Sequence, residues 1–143
     1  MRRRGVLLGG LCCAALPLAA QSGSALDWVN GFRRSKRRAP LTWSPLLERV
    51  AQAHADDMAQ NGFFSHDGSD GSDIATRLDR AGYGWCAAAE NIAKGHGSVA
   101  EVLEGWRASP GHRRNMLNRE VTEMGLARGE GNLWVMVLGR PGC

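Results

Sequence analysis

The chain has 143 residues, 18 of them basic and 14 acidic, for a formal net charge of +4. That length favours one domain with a modest core. Three of the basic residues and none of the acidic ones fall in residues 1–24, so a chain without that segment carries +1, and the case for a nucleic-acid partner goes with them.

Arg2, Arg3 and Arg4 precede an apolar run from Val6 to Ala20, and small residues follow at Ser22, Ser24 and Ala25. This is the layout of a cleaved secretory signal peptide, residues 1–24, which leaves a domain of residues 25–143. The run is short for a bilayer span, so no stable membrane span is expected after cleavage. An uncleaved anchor is the alternative. A lipoprotein is disfavoured because Leu11 precedes Cys12, and Arg3-Arg4 is a weak twin-arginine signal. The expected destination is the periplasm or the exterior, and the expected state is a monomer. Cys12 and Cys13 would leave with the leader, so Cys86 and Cys143 remain. Two cysteines in an exported chain read as one disulfide, with two free thiols as the alternative.

Leu26, Val29 and Phe32 fall at helical spacing over Leu26–Arg34. The helix runs into Arg33-Arg34-Ser35-Lys36-Arg37-Arg38, read as a solvated helix end or as a contact with anionic envelope polymers or lipid headgroups. Ser44-Pro45 opens the next helix as N-cap and first turn, and Asn61-Gly62 closes it. Its apolar stripe is Leu47, Val50, Ala51, His54, Ala55 and Met58, which makes His54 a core histidine rather than a ligand. The aspartates between Asp67 and Asp73 miss calcium-loop spacing; they read as a polar turn that caps a helix over Ile74–Ala81. Ala87–Ala93 reads as a strand. Ser98 caps a helix through Trp106, which Ser109-Pro110-Gly111 breaks. Val121–Arg128 and Leu133–Leu138 read as strands joined by a hairpin, the second apolar throughout and therefore covered on both faces. The expected class is α+β, a three-layer α-β-α sandwich with a small central antiparallel sheet.

Three chemistry-bearing groups stand at element boundaries: His66, Glu90 and His112. Two imidazoles and a carboxylate form a ligand set for Zn²⁺ or another divalent metal, and equally an acid–base set. No two of them share a helical turn, so spacing alone specifies little.

The blocks Phe64-Ser65-His66, Ala89-Glu90-Asn91-Ile92-Ala93, Ser109-Pro110-Gly111-His112-Arg113 with Asn115, Glu123-Met124-Gly125 and a closing strand with Trp134 occur in that order. Together they are similar to bacterial CAP-domain proteins, the secreted SCP-like relatives of cysteine-rich secretory proteins, antigen 5 and plant pathogenesis-related-1 proteins. The resemblance implies the sandwich and an open cleft. In eukaryotic members that cleft holds two histidines and two glutamates. His66 and Glu90 match the first of each, whereas Ser109 stands at the second glutamate and Leu126 at the second histidine. His112 is our substitute for the missing imidazole. Ser65, Asn91, Ser109, Arg113 and Asn115 are expected to support the cleft. The resemblance implies a binding module for a small ligand, lipid, metal ion or cell-wall fragment. The same residues would serve a metal-dependent hydrolase, and a ligand-free envelope or stress protein is a third reading. No serine or cysteine is evidently paired with a base, which favours binding over covalent catalysis.

Overall fold

Strand β4 (Leu133–Pro141) explains most of the architecture. Leu133 through Gly139 are all buried, so a layer must cover each side. Successive side chains point to opposite faces. Trp134, Met136 and Leu138 join one apolar cluster, while Leu133, Val135 and Val137 join the other. The computed structural model describes residues 18–143, with side chains from Gly23 onward. The expected leader lies outside these residues except at its end, where residues 18–24 continue the first helix.

The elements run α1 (Leu18–Ser35), β1 (Thr42–Trp43), α2 (Pro45–Asn61), α3 (Ile74–Arg80), β2 (Trp85–Lys94), α4 (Val99–Ala108), α5 (Pro110–Met116), β3 (Glu123–Gly129) and β4. The sheet order is β1-β3-β4-β2. Helices α1, α4 and α5 supply Ala25, Val29, Val102, Leu103, Trp106 and Met116 to one face. Helices α2 and α3 supply Leu47, Val50, Ala51, Ala55, Met58 and Leu78 to the other. This is the expected sandwich, with one correction. The sheet is mixed rather than antiparallel, because β1 pairs in parallel with β3. A two-residue strand has no periodicity to betray it.

Helix α2 lies directly on β3. A Cβ on Gly125 would sit 2.2 Å from the Glu48 nitrogen, and one on Gly129 would sit 2.9 Å from the Ala55 carbonyl oxygen. Helix backbone therefore approaches strand backbone closely, which only glycine permits. The expected caps are present. The Ser44 side chain accepts from the Leu47 amide, Asp73 from Thr76 and Ser98 from Glu101. Gly62 closes α2 in the left-handed region at φ 66°.

The basic run is a solvated end at Arg34, Lys36 and Arg37, but not at Arg33. Arg33 is 1% exposed, and it donates to the carbonyls of Ala39, Met116 and Asn118. Arg38 donates to the Leu117 carbonyl. These acceptors include the unpaired C-terminal carbonyls of α5, the negative end of its dipole. Burial, and secondarily the neighbouring Arg38, pushes the Arg33 pKa down.

Cys86 and Cys143 form a disulfide, with Cα atoms 5.2 Å apart and a sequence separation of 57. The β2–β4 register shifts between Trp85 and Ala87, so Cys86 is the bulged residue beside the end of β4. In the chain-entropy account, closing a loop of this length stabilises the fold by about 4 kcal/mol.

Candidate functional site

Strand β2 is an edge strand, and its neighbours Glu90 and Asn91 point to opposite sides of the sheet. Glu90 shares its side with Ala88 and Ile92, toward α2 and α3. Asn91 shares its side with Ala89 and Ala93, toward α4 and α5. The two form the centre of one polar cluster.

The Glu90 side chain is 2% exposed. An isolated carboxylate there would be strongly disfavoured, and two groups answer it, with a third ring close by. Arg77, on α3, donates from Nη2 to Oε2 at 2.8 Å, and its Nη1 donates to the Ser72 carbonyl. His66 donates from Nδ1 to Oε1 at 2.8 Å. His54, on α2, brings Nε2 to 3.9 Å from the same Oε1. His54 Nε2 donates to the Ser65 carbonyl at 2.8 Å, so its Nδ1 carries the lone pair, buried and without a hydrogen-bond partner among the described residues. Burial lowers the His54 pKa, partly offset by the Glu90 charge, and favours the neutral ring. His54 thus pins the residue before His66. The Ser65 hydroxyl accepts from the Asp67 amide and fixes the turn from the other side.

The His66 ring is 58% exposed. With Nδ1–H committed to Glu90, Nε2 is a lone pair turned to solvent. A buried carboxylate behind a solvent-facing imidazole fixes the orientation of the ring.

On the other side of the sheet, Asn91 is fully buried. Its Nδ2 donates to the His112 carbonyl, and its Oδ1 accepts from Asn115 Nδ2. Asn115 also donates to the backbone oxygen of Glu90, and the Trp106 indole donates to the Ile92 backbone oxygen. These are alternate carbonyls along the open edge of β2, so α4 and α5 cover an edge that would otherwise offer itself to another strand.

Where the sequence suggests a break, the chain starts a new helix. Pro110 is the first residue of α5, and Ser109 closes α4 while opening α5. His112 therefore sits on a helix. Its ring lies 6.4 Å from that of Trp106, centroid to centroid. Among the described residues, no hydrogen bond joins the His112 ring to His66 or Glu90. Burial lowers the His112 pKa, and the His66 charge adds to it. Arg113 donates to the Arg107 carbonyl and ties α5 to α4. Ser109 makes no side-chain capping bond.

The expected zinc set does not fit this geometry. Both Glu90 oxygens are already engaged, one by a guanidinium that a cation would have to face or displace. Among the described residues, no group of three or more His, Cys, Asp or Glu is placed to hold a metal ion.

Two members of the cluster escape a sequence-level reading. Arg77 leaves a weak trace, since it stands between Ile74 and Leu78 on the inward stripe of α3. The burial of His54 is legible, but its contact with Ser65 and Glu90 is not.

A model of the cysteine-rich secretory protein family, CAP, matches residues 26–138. Two Bacillus subtilis proteins described as uncharacterized are similar in sequence. The membrane protein YlbC is 34% identical over 101 residues, 71% of this chain and 29% of that protein. YkwD is 30% identical over 118 residues, 82% of this chain and 46% of that protein. The chain thus spans less than half the length of either. Among solved structures, an extracellular SCP-domain protein of Bacillus anthracis superposes with a TM-score of 0.80 at 31% identity, over 85% of this chain and 41% of that one. An outer surface protein of Borrelia burgdorferi shares the fold, with a TM-score of 0.76 at 20% identity, over 84% of this chain and 92% of that one. Sequence blocks, sandwich and family model agree: the chain belongs to the CAP, or cysteine-rich secretory protein, family.

Proposed function

We propose that the protein is an exported, monomeric binding module whose edge cleft, built on His66, Glu90 and His112, holds a polar ligand from the cell envelope. The observation that carries this reading is the His66 ring, more than half exposed while its Nδ1 is locked to a carboxylate that is 2% exposed. Such an imidazole presents one oriented acceptor to a hydroxyl or amide. Among the described residues, no serine, threonine or cysteine is hydrogen-bonded to the His66 or His112 ring, which supports binding over covalent turnover. Export is supported by the disulfide, which persists in oxidising compartments. The leader-like residues 1–24 and similarity to proteins described as extracellular or outer-surface point the same way.

The test uses soluble disaccharide-peptide fragments of cell wall. Titration followed by NMR should shift the His66 and His112 ring signals saturably, and His66→Ala should abolish the response. The fragments should be recovered intact by mass spectrometry. Hydrolysis that requires both His66 and Glu90 would replace this reading with that of a general-base hydrolase. Binding indifferent to His66→Ala would remove the cleft from the account.

A further inference from the structure

Away from the edge cleft, a groove of about 380 Å³ runs between α2 and the end of α3. Leu46, Arg49, Val50 and Ala53 repeat at helical spacing along one wall, and Arg77, Arg80 and Ala81 do so along the other. The floor is apolar and three guanidinium groups border it. Their charges are not equally spent. Arg77 is held by Glu90, and Arg80 pairs with Asp70. Arg49 is exposed and has no ion pair or hydrogen bond among the described residues. The groove therefore carries one uncompensated positive charge beside an apolar strip of helix.

We infer that this groove is a second binding site, for a small organic monoanion: one sulfonate or carboxylate on a short apolar body. A guanidinium donates two parallel hydrogen bonds to such a head. Leu46, Val50 and Ala53 would cover the apolar body, as ligand sites of this volume commonly do. A bare anion forgoes the strip and a neutral alcohol forgoes Arg49, so neither alone satisfies the groove. His66 does not line this groove, although Arg77 borders both sites. Arg77 is left out of the test because it also holds Glu90.

The probe is hexanesulfonate, which keeps a single charge at any working pH, titrated into the full chain with amide NMR. Saturable shifts are expected at Leu46, Val50, Ala53 and Ala81. Methanesulfonate and 1-hexanol should each bind at least about tenfold more weakly. Arg49→Glu should weaken hexanesulfonate by about tenfold or more, while Arg49→Lys retains binding within a few fold. Raising the salt should weaken binding throughout. Since Arg49 is exposed, neither variant threatens the fold, and unchanged amide spectra elsewhere check this. The site is overturned if hexanesulfonate gives no saturable shifts there, if Arg49→Glu binds it as wild type does, or if methanesulfonate or hexanol matches it.

Discussion

The centre of the sheet and its β2 edge are built on different physics. At the centre, β4 and β3 meet helices through apolar side chains that alternate strictly between two clusters, and through Gly125 and Gly129, where helix and strand backbones nearly touch. What matters there is size and period. At the β2 edge, a buried carboxylate, a buried amide and two backbone oxygens are each matched to a named donor from another element. What matters there is pairing. The centre is tolerant of which apolar residue stands where, within its volume. The edge tolerates little, because removing one partner leaves the other buried and unpaired.

The largest effect should come from the exception at the centre. Gly125→Ala places a methyl against the α2 backbone, at atoms that cannot swing aside as a flexible side chain can. It should cost about 4 kcal/mol or more, or prevent folding, as read by urea denaturation. At the edge, Arg77→Met strips Glu90 of its fixed cation and should cost about 3 kcal/mol. Adding Glu90→Gln to Arg77→Met should recover part of that loss, since the double variant has no buried charge. If the double variant is the sum of the two single changes, the pair is not coupled and the edge is ordinary packing. Asn115→Ala releases both the Asn91 side chain and the Glu90 carbonyl and should cost about 2 kcal/mol in the same assay.

The smallest effect is set by pH. His54 is held neutral by burial, so its folded pKa lies below the usual 6.5. The unfolded chain takes up a proton near 6.5 while the folded chain resists. Stability is therefore full above that value and falls as pH drops from it toward the folded pKa, then levels off. His112 contributes in the same sense. A melting temperature that is flat from pH 7.5 to 5, or equally sloped in His54→Gln, would remove His54 from this role.

The same contrast explains what could be read from the sequence. The α2 stripe, three helix caps and the doubly covered β4 follow from short-range periodicity and turn chemistry, and the structure bears them out. The hairpin is there too, with Gly131 at φ 74° and Asn132 at φ 58°. The parallel pair of β1 with β3 is invisible because two residues carry no pattern. Arg33 is hidden inside what looks like a solvated charge run, since two of its three acceptors lie more than 80 residues away. His66 and Glu90 are legible through the family blocks, and the structure brings them to hydrogen-bonding distance. Arg77 is not, because only the folded chain shows that a carboxylate stands opposite it. His112 reads from the sequence as standing after a helix break, but Pro110 begins a helix as readily as it ends one.

The central claim is that Glu90 orients His66. It is tested most directly by ¹⁵N NMR of the His66 ring at a pH where the ring is neutral. A neutral imidazole in water prefers the proton on Nε2, whereas the Nδ1–H···Oε1 bond requires it on Nδ1. The account predicts the Nδ1–H tautomer as the dominant form. A ring protonated mainly on Nε2 would contradict it.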